Sequence, residues 1–284
     1  MVDVAPPQTD TFAGYDGTPL FERSWLPAAV PRAVIVLVHG YAEHSGRYEY
    51  VGNALAARGY AVHAFDLHGH GRSGGQRAIV RSFAEYVADL RIFLARVRAR
   101  HPGAPIFLFG HSMGGGIVTL AAIIDPPRAD GIVLSGPALG AGSVAAPMRA
   151  LVLTLGRLLP SLPLTKLDAG AISRDPDVCR RYDDDPLVYR GRIKAGLAAA
   201  MMRAGERISR DMGDIRYPLL IMHGTLDALA SLEGSEQLHA QAASGDKTLT
   251  TYEGLYHEIL NEPERDQVIA DLVEWLDART APPA

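Results

Sequence analysis

The sequence predicts an α/β fold, a mostly parallel, doubly wound sheet flanked by helices, with a helical cap inserted over the sheet's C-terminal edge. Three observations carry that prediction. Short apolar runs of strand length alternate with amphipathic helical stretches. The pentapeptide Gly110-His111-Ser112-Met113-Gly114 stands between one such run and a glycine-rich helix start. From Pro137 to about Ser209 the strand rhythm stops, and apolar helical segments replace it.

Taken in order, Thr11 to Tyr15 and Leu20 to Leu26 flank the turn signal Asp16-Gly17-Thr18 and read as an antiparallel pair leading into the sheet. Ala33 to Val38 is apolar throughout, as a strand covered on both faces must be, and ends abruptly at His39-Gly40. A loop from Tyr41 to Arg47 precedes a helix from about Tyr48 to Arg58, stopped by Gly59. Tyr60 to Phe65 is the next strand, closed by Asp66-Leu67-His68-Gly69-His70-Gly71-Arg72-Ser73. A capping box, Ser82 to Glu85, opens a helix whose apolar face carries Phe83, Tyr86, Val87, Leu90, Leu94 and Val97, and His101-Pro102-Gly103 ends it. Pro105 to Phe109, Gly131 to Ser135, Tyr217 to Met222 and Thr248 to Tyr252 complete eight strands. Helices at Leu232 to Gln241 and Pro263 to Arg279 lie between and after the last two. Residues 1–136 and 210–284 thus form the core and 137–209 the cap. Met148, Leu151, Leu155, Leu158 and Leu159 mark one cap helix, and Ile193, Leu197 and Met201 another.

A serine at a sharp strand-to-helix turn takes a strained backbone conformation, so the residues two before and two after it need to lack a Cβ. Gly110 and Gly114 meet that need. Ser112 is the candidate nucleophile, and the Met113 N–H, at a helix N-terminus, is a candidate oxyanion donor. A serine hydroxyl needs an imidazole to take its proton, and the imidazole needs a carboxylate to fix its tautomer. In a nucleophile-elbow fold the order is nucleophile, acid, histidine, which leaves His223, His239 and His257. His239 lies within a helix and His223 reads as the packed end of a strand. His257, in the loop after the last strand, is the candidate base. Asp227, in the loop after the strand ending near 222, is the candidate acid, whereas Asp214 and Asp246 precede their strands and fall at the opposite edge. Tyr41, just after His39-Gly40, is the candidate second oxyanion donor.

Composition narrows the alternatives. In 284 residues the formal net charge is −4, which argues against a polyanion partner such as nucleic acid. Arg91, Arg96, Arg98 and Arg100 lie toward a helix C-terminus, where cations complement the dipole. The single cysteine, Cys179, excludes an internal disulfide framework, and the start of the chain has neither a basic nor an apolar leader region; a cytoplasmic protein is expected. His68-Gly69-His70 does not continue as a metal motif, because Arg72 stands where a carboxylate would follow. No metal and no cofactor are expected. Glu43 and Arg47, four apart, suit a local ion pair, and Asp183-Asp184-Asp185 before Pro186 suits the solvated start of a helix.

The stretches His39 to Tyr48, Asp66 to Gly74, the elbow, and Tyr252-Glu253-Gly254-Leu255-Tyr256-His257 together resemble the monoacylglycerol lipases, serine hydrolases of the α/β-hydrolase fold, most closely the actinobacterial type. The likeness runs from about Phe12 to Arg279 and includes Asp185-Pro186-Leu187. It implies the same nucleophile, relay and oxyanion donors. It further implies that Glu43, Arg47 and Tyr182 form or support a polar niche for glycerol. Two departures stand out: Leu229-Ala230-Ser231 occurs where the family usually has a Val-Pro or Ile-Pro pair, predicting a looser hold on the acid, and Leu260 stands where the vertebrate enzymes have histidine.

The expected activity is hydrolysis of a monoacylglycerol to glycerol and fatty acid through an acyl-serine. Its rivals are a broader carboxylesterase or lysophospholipase, and a hydrolase-fold receptor or scaffold with unused catalytic atoms. Two readings of Leu151, Val152, Leu153, Leu155, Leu158 and Leu159 stay open: docking on a lipid surface, giving peripheral membrane contact, and packing on the core.

Overall fold

The computed structural model describes residues 6–140 and 144–280. Eight strands form one sheet: β1 (Gln8–Ala13), β2 (Pro19–Trp25), β3 (Ala33–Val38), β4 (Tyr60–Phe65), β5 (Ile106–His111), β6 (Gly131–Ser135), β7 (Leu219–Gly224) and β8 (Lys247–Tyr252). Their spatial order is β1-β2-β4-β3-β5-β6-β7-β8. β2 pairs antiparallel with β1 and β4, and all other pairings are parallel. Parallel neighbours need crossovers, supplied by α1 (Glu49–Ala57), α2 (Phe83–Arg100), α3 (Met113–Ile124) and α7 (Leu232–Gln241), while α8 (Arg265–Asp277) follows the last strand. Every residue of β3, β4, β5, β6 and β7 is buried, as strands covered on both faces require.

The period of two divides the core. Val34, Val36 and Val38 join Phe12, Phe65, Phe93 and Ile117 on one face, whereas Ile35 and Leu37 join Trp25, Phe107, Leu272 and Trp275 on the other.

Several boundaries move. β1 begins and ends earlier than its sequence pattern implies, since only Phe12 of its residues is buried. β7 starts at Leu219, because Pro218 has no N–H to give the ladder, although its carbonyl still accepts from Ile132. α8 is shorter than the predicted Pro263–Arg279. Ser82 does cap α2, accepting from the Ala84 N–H at 3.2 Å, but the reciprocal half of the capping box is absent: Glu85 instead accepts from the Tyr15 hydroxyl at 2.8 Å. Arg96 and Arg100 reach the buried Glu22 on β2.

Between β6 and β7 lie α4 (Ala146–Leu158), α5 (Pro176–Asp184) and α6 (Ala195–Asp211). The sequence pattern predicts α4 and α6 but not α5. Asp183 and Asp184 therefore end a helix rather than begin one, and Asp185 is that helix's C-cap, bonded to His44 Nε2 at 2.8 Å. α6 buries Leu197, Ala200, Ala204 and Ile208 against the core, whereas α4 buries no residue.

Candidate active site

β5 runs straight into α3 through Ser112, whose backbone sits at φ 53° and ψ −119°, a left-handed φ for a residue with a Cβ. Three backbone hydrogen bonds hold it there: Ser112 N–H to Ser135 O at 3.0 Å, Gly116 N–H to Ser112 O at 3.1 Å and Ala138 N–H to Ser112 O at 2.9 Å. A Cβ at Gly114 would fall 2.1 Å from Val38 O, and one at Gly110 would fall 2.6 Å from Gly114 O. The glycines on either side of the serine are thus required by close approach of β3 and α3.

His257 and Asp227, thirty residues apart in sequence, meet at the C-terminal edge of the sheet, with Nδ1 2.7 Å from Oδ2. A carboxylate accepts, so Nδ1 carries the proton and Nε2 is left as the basic nitrogen. The Asp227 side chain is fully buried, and its Oδ1 accepts from the N–H groups of Leu229 at 2.8 Å and Ala230 at 2.9 Å. Burial alone would raise its carboxyl pKa, but hydrogen bonds, that of His223 first and that of His257 next, hold it well below the usual range. The expectation of a loose acid loop is therefore corrected, because the backbone of the substituted stretch itself grips the carboxylate.

His257 packs its ring against that of His111, centroids 4.8 Å apart, and His111 directly precedes Ser112. Gly136, just after the strand that pins Ser112, comes equally close to Asp227 and His257: a Cβ there would lie 3.2 Å from both Asp227 Oδ2 and His257 Nδ1. Residues 112, 227 and 257 are thus gathered around one end of β5 and β6. Among the described residues the Ser112 hydroxyl makes no hydrogen bond to the imidazole, and in substrate-free sites such bonds commonly tighten only when substrate binds.

The loop after β3 is built around two buried side chains. His39 bonds through Nδ1 to Gly40 O at 2.8 Å and accepts the Leu67 N–H on Nε2 at 2.9 Å, which fixes its tautomer. Glu43 accepts on Oε1 from the Gly40 N–H at 2.6 Å and the Tyr48 hydroxyl at 2.7 Å, and on Oε2 from Arg47 at 2.9 Å. Gly40 lies against Ser112, since a Cβ on it would come within 3.1 Å of Ser112 Cβ. Tyr41 follows Gly40 directly, and Met113 is the first residue of α3, whose N–H has no intrahelical acceptor. The Tyr189 N–H donates to Ala42 O at 2.8 Å, joining the segment before α6 to the same loop.

Glu43, Arg47 and Tyr182 do come together. Arg47 forms a bidentate pair with Glu258, at 2.6 and 2.8 Å, and lies over the Tyr182 ring at 4.7 Å. The expected Glu43–Arg47 ion pair is present within this larger network. Burial pushes the Glu43 carboxyl up, but Arg47 first, then His111 and His39, bring it down to about 2. Burial, with His257 adding to it, pushes His111 down to about 4.

Sequence reasoning missed Glu258, His111 and His223. Glu258 adjoins His257, and position relative to that candidate base was the available signal. His223, which reads from the sequence as the packed end of a strand, is fully buried, but its Nε2 lies 3.2 Å from Asp227 Oδ2. His70 of the His68-Gly69-His70 run turns its Nδ1 to His68 O at 3.0 Å, and among the described residues no group of three or more His, Cys, Asp or Glu side chains is arranged to hold a metal ion.

A family model described as serine aminopeptidase, S33, matches residues 29–264. Over 94% of its length the chain is 42% identical to a monoacylglycerol lipase of Mycolicibacterium smegmatis, 95% of which is covered. The chain belongs to the monoacylglycerol lipase family of α/β-hydrolases. Human monoglyceride lipase is 37% identical over 94% of the chain and 89% of the human protein. Among solved structures, the monoacylglycerol lipase of Paleococcus ferrophilus superposes with a TM-score of 0.82 at 35% identity, covering 92% of this chain and 99% of that one. The eight-stranded sheet and elbow described above are the α/β-hydrolase architecture.

Proposed function

We propose that the protein hydrolyses monoacylglycerols to glycerol and a free fatty acid through an acyl-enzyme on Ser112. The observation that carries this reading is the strained serine at the head of α3, gathered with an imidazole whose Nδ1 is held by a buried carboxylate. In the first half-reaction His257 Nε2 takes the Ser112 proton as Oγ attacks the ester carbonyl. The N–H groups of Tyr41 and Met113 receive the oxyanion, each worth about two to three powers of ten in rate. Collapse expels glycerol with the proton from His257. A water deprotonated by His257 then attacks the acyl carbon, releasing the fatty acid and restoring the serine.

Glu43, Arg47 and Tyr182 support the glycerol niche rather than line it, since both Glu43 oxygens are already engaged and one of them holds the Gly40 N–H of the oxyanion loop. Residues 137–209 act as the cap, although the boundary at 209 falls inside α6. A cavity of about 800 Å³ between the cap helices and α7 borders the Asp227 loop; Arg149, Glu206, Arg210 and Glu233 line one part of it, and Leu139, Met201, Met202, Leu229 and Ala230 another. There the acyl chain binds, and each buried methylene, worth about 0.8 kcal/mol, raises kcat/KM roughly fourfold until the space is full. A flat profile across a chain-length series would remove this pocket from the proposal.

α4 contacts a lipid surface. Met148, Leu151, Leu158 and Leu159 are each more than half exposed, and the stretch 144–167 carries Arg149, Arg157 and Lys166 with no carboxylate. Among the described residues no helix is long and apolar enough to cross a membrane, so this contact is peripheral. Co-sedimentation with vesicles, weakened in a Leu151→Asp/Leu158→Asp variant, tests it, and absence of binding by the wild type would dispose of it. For the activity itself, turnover of monoacyl, diacyl and triacyl glycerols and of a lysophospholipid should fall overwhelmingly on the first. Equal turnover of the lysophospholipid would replace this reading with a broader esterase.

A further inference from the structure

His223 is the penultimate residue of β7 and has no solvent exposure. Its Nε2 lies 3.1 Å from Ala230 O, an atom that can only accept, so Nε2 carries the proton. Nδ1 is then bare and accepts from the Ser235 hydroxyl at 2.8 Å, on the first turn of α7. The same N–H edge lies 3.2 Å from Asp227 Oδ2, the oxygen that His257 Nδ1 approaches to 2.7 Å. Ala230 in turn gives its own N–H to Asp227 Oδ1 at 2.9 Å. The imidazole therefore touches both ends of the turn from Asp227 to Ala230, and both of its nitrogens are engaged in doing so.

We propose that His223, oriented by Ser235, is a positioning residue that holds the Asp227 carboxylate for His257. This rests on the assignment of Asp227 and His257 as acid and base. One physical effect follows: pinning Ala230 O and Oδ2 fixes the turn, and hence the direction of Oδ2 toward His257, without any contact with substrate. The hydrogen bond of His223 lowers the Asp227 pKa more than that of His257 does, although burial, the largest influence, opposes both.

Without the Nε2–H the direction of Oδ2 is no longer fixed, so the carboxylate supports the imidazolium less well and the base protonates only at lower pH. The other titratable groups around His257 are His111 from β5, Asp227 itself, and the Glu43–Arg47–Glu258 network, which substitutions at 223 leave in place.

The test is the pH profile of kcat/KM, together with kcat and KM, on p-nitrophenyl butyrate for the full chain and four variants. His223→Leu should lower kcat by about 10- to 100-fold with KM within about twofold, the scale expected when a reacting group is misdirected, and should move the acid limb downward by ~0.5 pH unit or more. His223→Gln, whose amide N–H can occupy the Nε2 position, should restore most of both. Ser235→Ala should shift both in the same sense by less, because the hydroxyl only polarises the ring. A Leu variant with wild-type kcat and acid limb overturns the proposal, as does a Gln variant as impaired as Leu. Should His223→Leu not fold, an unchanged acid limb in Ser235→Ala overturns it instead. Asp227→Asn separates the two levels: if it stays active the assignment of the acid fails, and if it is inactive while His223→Leu behaves as wild type only the proposal fails.

Discussion

Ser112 combines two demands on one residue: a hydroxyl that must be reachable from a half-buried position and a backbone at φ 53°. The three hydrogen bonds to Ser135, Gly116 and Ala138 leave the strain with nowhere to relax, so the side chain can change without moving the turn. Ser112→Ala should therefore lower turnover by about six powers of ten, the scale expected when a cooperative triad loses its nucleophile. Its Tm should stay within about 2 °C of wild type, and it should resist labelling by a fluorophosphonate. Residual labelling of that variant would place the reactive serine elsewhere.

At the scale of elements, the spacing of β3 and α3 is set by a missing methyl. A Cβ on Gly114 would sit 2.1 Å from Val38 O and 2.5 Å from His39 O, inside contact with backbone that cannot swing aside. Gly114→Ala should destabilise by about 3 kcal/mol or more, lowering Tm by roughly 10 °C in a thermal unfolding scan, and should reduce kcat because the oxyanion loop continues from β3. An unchanged Tm would mean that α3 can translate without penalty. Elements were legible where their pattern was wholly or nearly wholly apolar: β3, and β4 with His63 as its one strongly polar residue, fall at their predicted residues. α5 was not, because Pro176–Asp184 buries only Val178 and Tyr182, too few to mark a face. Its start was nonetheless written in Asp175-Pro176, an N-cap whose carboxylate accepts from the Asp177 N–H at 2.8 Å, followed by a first-turn proline.

The whole molecule carries an electrostatic signature in its buried histidines. Burial, reinforced by His101 at His63 and by His39 at His70, pushes both down from 6.5 to about 3, while His111 falls to about 4. A group with a depressed folded pKa takes up its proton more readily in the unfolded chain when it is a histidine. Stability is therefore full above pH 6.5 and declines as pH drops toward 3–4, by up to about 1.4 kcal/mol per pH unit for each such histidine. Glu43, lowered from 4.5 to about 2, adds loss of the same sign as pH falls through that lower window. Asp89 acts oppositely: burial raises it from 3.8 to about 6, so acidification through that range favours the native state and offsets part of the decline. Urea unfolding at pH 8 and pH 5 should give a lower stability at pH 5 by several kcal/mol, and equal values would contradict this account.

The strands and the elbow are legible in the sequence because each is encoded locally, by apolar period or by glycine at fixed offsets, and Asp227 and His257 are marked as candidates by their positions just past a strand. Tertiary structure alone decided which loops meet at the rim. Arg47 finds Glu258 across 211 positions, and Ser235 reaches back to a strand-end histidine, pairings that no local pattern marks. It also decided that α4 buries no residue while α6, another amphipathic helix, is packed against the core. Periodicity gives a helix an apolar face, but what covers that face depends on where the rest of the chain places its own surfaces.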